Sequence, residues 1–270
     1  MSDALLRVRG LRKEFVSRGR ADPVVAVDAI DFDVDRGGSL AIVGESGSGK
    51  TTIARMLLGL ERPSAGSIQV DGRIREAGRI SRARRRRQAR DVQIVFQDPY
   101  TSLDPRQRVA ACLDEVLALH TDLDRGSRRR RALDLLEQVG LDERHAESLP
   151  SQLSGGQRQR VAIARALAPT PKILVLDEAV SALDVSVQSQ VLNLLNDIRS
   201  ATSVAYVFIS HDLAVVRNVS DDIAVMRHGR FVEVGSTARV LSDPQDAYTR
   251  RLLDSLPRPG WTPERTTINW

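Results

Sequence analysis

The residues of this chain best suited to chemistry are the eight at positions 44–51, Gly44-Glu45-Ser46-Gly47-Ser48-Gly49-Lys50-Thr51. They follow directly on the apolar run Ser39-Leu40-Ala41-Ile42-Val43. The spacing G-x4-G-K-T, with a strand before it and a helix after it, is that of a phosphate-binding loop. Glycines let the backbone take positive φ and turn several N–H groups toward one anion. Lys50 adds a point charge for terminal phosphates, and the Thr51 hydroxyl is placed for Mg2+. The helix expected from about residue 50 to 59 aims the positive end of its dipole at the same spot. An ordinary turn between strand and helix needs no such set of glycines, lysine and threonine in register. The chain is therefore expected to bind a nucleoside triphosphate.

Asp177-Glu178 follows a second apolar run, Ile173-Leu174-Val175-Leu176. At the carboxyl edge of a strand beside a phosphate loop, Asp177 can hold Mg2+ through its water shell. Glu178 can polarise a water for in-line attack on the γ-phosphate. An acidic pair after a strand is more often a helix cap, and only the phosphate loop tips the balance. Gln97 ends the run 92–96 and suits a contact to Mg2+ or water that is made and released. His211, in Ile209-Ser210-His211-Asp212, ends another expected core strand and can reach a γ-phosphate. His120, His145 and His228 are expected on the surface.

Leu153-Ser154-Gly155-Gly156-Gln157 has two readings. Ser154 with Gln157 three residues on is a capping box. Two consecutive glycines cost helix stability, so they also suggest a bare helix N-terminus that a phosphate approaches closely. Lys50 already opens one such helix. A second, beyond a helical stretch, is hard to place on the same phosphate, but it is available to a nucleotide held by another copy.

The elements that must position these groups alternate. The first ~40 residues have β character: 5–11 reads as a strand, and Ile30, Phe32 and Val34 alternate with Asp31, Asp33 and Asp35, the period of a half-buried antiparallel strand. Phe15 lies between them and is read equally well as a base-stacking aromatic or as core. Short strands are expected at 67–71 and, fully buried, at 92–96. Residues 109–119 and 128–139 have helical spacing punctuated by Pro105, Gly126 and Gly140, an insertion between α/β parts. A helix over 156–168 stops at Pro169. Val187, Val191, Leu194, Leu195 and Ile198 form one helix face, and 204–209 and 223–226 are strands. His228-Gly229 turns into a last strand at 231–234. The expected core is a parallel, doubly wound α/β sheet.

The 270 residues suffice for one large domain with insertions, and 41% hydrophobic with 28% charged residues excludes a disordered chain. No apolar run approaches the ~20 residues of a membrane span, the N-terminus lacks a signal-peptide pattern, and Cys112 is alone. A cytoplasmic compartment is expected, with no disulfide framework or cysteine-bound metal. The net charge of +5 reflects arginine runs at 82–90 and 128–131. Without interleaved aromatics they read as solvated helix faces, and no nucleic-acid partner is expected.

Together these motifs resemble the ATP-binding subunit of ABC transporters from residue 5 to about 257: 44–51 as Walker A, Gln97 as Q-loop, 153–157 as signature, 173–178 as Walker B, 181–184 as D-loop and His211 as switch histidine. The resemblance implies a P-loop NTPase fold. It has a RecA-like parallel core, an N-terminal antiparallel β subdomain and an inserted helical subdomain. The core divides into 1–97 and 156–235, the helices lie in 98–155, and 236–270 is a C-terminal extension. It implies ATP and Mg2+ as ligands and Glu178 as catalytic base, with His211 and Lys50 beside it. Phe15 stacks on adenine, and Thr52 and Asp184 join the loop around the nucleotide. Thr51, Gln97 and Asp177 serve the metal. Ser154, Gly155, Gly156 and Gln157 reach the γ-phosphate held by a partner subunit.

The stretches 96–106 and 181–188 and the tail Tyr248-Thr249-Arg250-Arg251-Leu252-Leu253 are similar to the oligopeptide/dipeptide/nickel importer subfamily. Ala179-Val180 stands where that subfamily usually has Pro-Thr, and Gln245-Asp246-Ala247 where it tends to have His-Pro before Tyr. With Cys112 alone there is no iron–sulfur segment. The implied assembly is a homo- or heterodimer of ATPase subunits on two integral membrane permeases. It sits peripherally on the cytoplasmic face of a bacterial membrane and is served by an extracytoplasmic solute-binding protein. Rival readings are a nickel or other solute importer, an exporter ATPase, a regulatory subunit with degraded sites, and a soluble ABC ATPase of translation or DNA repair. A single cassette with a short insertion disfavours the last.

Overall fold

A computed structural model of the chain describes residues 4–16, 23–76, 78–98 and 102–254. Pro99, Tyr100 and the residues after 254 lie outside the described residues. Two sheets organise the chain. The first is antiparallel, in the order β2-β1-β4-β5, from β1 (Ala4–Phe15), β2 (Val24–Asp35), β4 (Ala65–Val70) and β5 (Arg73–Ile74). In β2 the alternation is realised side by side: Ile30, Phe32 and Val34 are buried, and Asp31, Asp33 and Asp35 are exposed.

The second sheet has the order β10-β9-β3-β8-β7-β6. Its strands are β3 (Ser39–Val43), β6 (Val92–Val95), β7 (Ile173–Asp177), β8 (Ala205–Ser210), β9 (Asp222–Arg227) and β10 (Arg230–Ser236). All pairs are parallel except β9 with β10. That hairpin turns at His228 (φ 45°) and Gly229 (φ 80°), the two successive positive values a tight right-twisting turn demands.

The central parallel strands β3, β7 and β8 are mainly apolar because both faces are covered. Leu40, Ile42, Val175, Val207 and Ile209 pack on one side with α1 (Lys50–Leu58) and the antiparallel sheet. Ala41, Val43, Leu174, Leu176, Tyr206 and Phe208 pack on the other with the remaining long helices. These are α3 (Val109–His120), α4 (Arg125–Gln138), α6 (Gly155–Leu167) and α7 (Val185–Thr202); α2 (Arg82–Asp91) precedes them in sequence and α5 (Glu143–Ala146) lies between α4 and α6. The chain closes with α8 (Leu213–Val219), α9 (Thr237–Ser242) and α10 (Ala247–Asp254).

Three expectations are corrected. The strand at 92–96 is not fully buried: β6 is the sheet's edge strand, so Gln93 and Ile94 are half-buried and Phe96 is exposed. His120 is not a surface residue, since it closes α3 inside the fold, where burial and then the charges of Arg86 and Arg90 lower its pKa. His145 is half-buried and hydrogen-bonded. The arginine-rich α2 buries no residue, as a solvated face should.

Candidate active site

The parallel register explains why distant motifs meet. Val43 pairs with Ser210, Asp177 with Ile209, and Val95 with Leu176. The segments leaving β3, β8, β7 and β6 therefore emerge along one carboxyl edge, the position where open α/β sheets bind ligands. They carry the loop at 44–51, His211, Glu178 and Gln97 respectively, and Asp177 is the last residue of β7.

The loop's shape is set by close backbone approach. Gly49 has φ 114°, and a Cβ there would lie 2.2 Å from the Ala26 carbonyl oxygen. Gly44 has φ 153°, and its Cβ would lie 2.1 Å from the Met226 oxygen. Loop, β2 and the β9–β10 turn are thus pressed together, and the Gly229 N–H donates to the Ser48 carbonyl at 3.0 Å. Gly49 caps α1 without any side-chain hydrogen bond, which leaves the helix N-terminus open. Lys50 is buried, and its Nζ donates to the carbonyls of Gly44 (2.7 Å) and Glu45 (2.8 Å). Burial pushes its pKa below the ordinary lysine value, against the pull of the Glu178, Asp177 and Glu45 carboxylates. Glu45, Ser46, Gly47 and Thr51 are exposed around the loop, with Ser48 buried and Thr52 half-buried.

Beside the loop, Asp177 has its pKa raised by burial and the Glu178 charge, with Lys50 and Arg55 opposing. Glu178 has a left-handed φ of 50°, uncommon for a side chain of its size. Its N–H donates to the Ile209 carbonyl at 2.8 Å, and its Oε1 lies 3.2 Å from His211 Nδ1. That contact is a hydrogen bond when Nδ1 carries the ring proton. Ala179 and Val180, in place of Pro-Thr, pack into the core directly after it. Gln97 is exposed two residues beyond β6. Phe15, at the end of β1, pairs with Val24 two residues from Ala26. Its ring is 39% exposed, with Lys13 Nζ 4.7 Å from the centroid. It is not core.

Ser154, Gly155, Gly156 and Gln157 form a separate group at the start of α6. The capping box is made in full: Ser154 Oγ accepts from the Gln157 N–H (3.3 Å), and Gln157 Oε1 accepts from the Ser154 N–H (2.8 Å). Gln157 Nε2 also meets His145 Nε2 at 3.0 Å, while His145 Nδ1 faces Asp142 at 2.8 Å. Three arginines tie α6 to the inserted helices: Arg158 Nε to the Pro150 carbonyl, Arg160 Nη1 to Val139 and Arg165 Nη1 to Ser102. A Cβ at Gly156 would meet Val187 Cγ1 at 2.5 Å, so packing alone requires that glycine, whereas one at Gly155 would find only Leu183 at 3.9 Å. Asp184, exposed, precedes α7 without a capping hydrogen bond. Among the described residues this group shares no hydrogen bond with the loop. The contact of His145 with Gln157 is one that motif spacing does not show.

A parallel sheet with a lysine-bearing glycine loop at its carboxyl edge, and an acidic residue ending the strand two places away, defines a P-loop nucleotide triphosphatase. Residues 27–181 match the ABC transporter family. The chain is 46% identical over 259 residues to the di/tripeptide transport ATP-binding protein DppF of Pseudomonas aeruginosa, covering 94% of this chain and 80% of that one. It is 42% identical to the dipeptide transport ATP-binding protein DppF of Escherichia coli, covering 96% and 78%. Among solved structures it is similar to CbiO1 of Clostridium perfringens, part of the ABC transporter complex CbiONQ (TM-score 0.79, 28% identity, 95% and 97% covered). It is also similar to a dimeric post-hydrolysis state of the ATP-binding cassette MJ0796 bound to ADP and Pi (TM-score 0.75, 28% identity, 86% and 98% covered). The chain belongs to the ABC transporter family and is one of its ATPases. No helix among the described residues is long and apolar enough to cross a membrane.

Proposed function

We propose that this chain hydrolyses ATP to power uptake of di- or oligopeptides, or a related small solute, through a membrane importer. It binds peripherally to two permeases at the cytoplasmic face of a bacterial membrane, and a solute-binding protein delivers cargo to them. The transported class rests on the peptide-transport relatives. A second ATPase subunit, a copy of this chain or a relative, completes each site. Its Ser154, Gly155 and Gly156 cover the γ-phosphate held on the loop at 44–51. The dimeric form of the MJ0796 cassette supports that pairing.

The observation that carries the catalytic reading is Glu178 beside His211, at the ends of adjacent strands next to the loop's lysine. The Lys50 ammonium has three N–H donors, so it reaches the terminal phosphates while still held at a loop carbonyl. Those negative charges offset the burial that depresses its pKa. Glu178 accepts the proton of the attacking water, and His211 holds the carboxylate in position. Mg2+ supplies charge neutralisation of the phosphates. Thr51, Asp177 and Gln97 fit it as a set of hydroxyl, carboxylate and amide oxygens, since this ion takes few protein ligands and completes its shell with phosphate and water. Phe15 stacks on the base. Glu178→Gln keeps the shape and removes the base, so turnover is expected to fall about 10²- to 10⁴-fold with ATP still bound. Undiminished steady-state ATPase in that variant would sink the assignment.

A further inference from the structure

The C-terminal helix reaches back to the phosphate loop. The peptide between Gly44 and Glu45 is held from both sides: its carbonyl accepts from Lys50 Nζ at 2.7 Å, and its N–H donates to the Tyr248 hydroxyl at 3.2 Å. A trans peptide is planar with its C=O and N–H opposed, so whatever fixes one fixes the other. Tyr248 is 203 residues from Glu45 in sequence and lies outside the residues matched to the family.

The tyrosine is itself rigidly seated. Its side chain is buried, with the Arg227 guanidinium carbon 4.9 Å from the ring centroid. Arg227 follows Met226, whose carbonyl abuts Gly44. The start of α10 is anchored by Glu233 of β10, a buried carboxylate that accepts the N–H groups of Gln245 (2.9 Å) and Asp246 (3.1 Å). Asp246 in turn accepts the Tyr248 N–H at 2.7 Å. The connection runs unbroken from Glu233 through the first turn of α10 and the Tyr248 hydroxyl to the peptide that parks Lys50.

We infer that Tyr248 is a positioning residue for nucleotide binding. Its hydroxyl holds the Gly44–Glu45 peptide in the orientation that keeps the Lys50 ammonium at the mouth of the loop, so the seating of α10 sets the affinity for the terminal phosphates. Without the hydroxyl the Glu45 N–H loses its partner, and the peptide regains a rotation that carries Lys50's acceptor away. This rests on the loop at 44–51 being the ATP site.

The test is Tyr248→Phe, which removes one oxygen and keeps the ring beneath Arg227. The dissociation constant of a fluorescent ATP analogue and the KM for ATP are expected to rise about three- to tenfold, the size of one lost hydrogen bond, with a smaller fall in kcat. Glu233→Gln, which leaves Tyr248 in place and weakens its anchor, is expected to shift KM in the same direction by less. Unchanged nucleotide affinity in Tyr248→Phe, with or without a lower unfolding temperature, overturns the inference. Failure of the wild-type chain to bind the analogue would instead overturn the reading of the loop as the ATP site.

Discussion

Two glycine-rich helix N-termini in this molecule invite comparison because they are built for opposite conditions. At α1 the glycines serve the chain's own backbone: Gly44 and Gly49 have positive φ and touch carbonyls of Met226 and Ala26. The helix end itself is left uncapped, with a buried lysine in front of it. At α6 neither glycine has positive φ, and the helix end is closed by a complete capping box with His145 behind it. Gly156 is needed against Val187, but among the described residues a Cβ at Gly155 would meet only Leu183, at 3.9 Å. The first terminus is open to an anion. The second is satisfied alone and leaves Gly155 open, as the proposed approach of a partner's nucleotide would need. That asymmetry is what a site divided between two chains requires.

Substitutions at each terminus separate the two roles. The largest effect is expected at Gly49→Ala, where a methyl group must enter backbone at 2.2 Å in a left-handed conformation. Strain and displacement should cost about 2–4 kcal/mol in urea unfolding and abolish nucleotide binding. A cost under about 1 kcal/mol would show that the loop glycines are not there for their own backbone. Ser154→Ala should cost about 1 kcal/mol through the lost cap, with ATPase falling alongside. Gly155→Ala should be the smallest in stability and the most informative. Alanine at an unstrained helical position is neutral or stabilising by up to about 1 kcal/mol, while ATPase should fall tenfold or more as the methyl blocks the incoming phosphate. Full activity in that variant would leave Gly155 without a role.

Much of this architecture was legible before any coordinates. The alternation 30–35, the apolar runs behind Gly44 and Asp177, and the capping pair Ser154 and Gln157 each follow from local periodicity or spacing, and each appears where expected. Periodicity cannot tell an edge strand from a central one, so it overstates the burial of β6. Nor does it show which histidine a helix end turns inward, and His120 is buried although its local sequence suggests the surface. Contacts between residues far apart in sequence leave no local trace. Gly156 against Val187, Gln157 with His145, and Tyr248 at Glu45 exist only once the sheet has folded. The tail motif containing Tyr248 could be recognised as a subfamily feature, but its reach to the loop could not.

If one chain holds half of each active site, the ATPase rate per chain of the wild-type protein must depend on assembly across a dilution series in which its mass is followed by light scattering. The rate should vanish where the protein is monomeric, and rise with concentration or on addition of a second ATPase subunit. A rate per chain that stays constant down to fully monomeric dilutions would contradict the account, because a single chain would then be completing the site by itself.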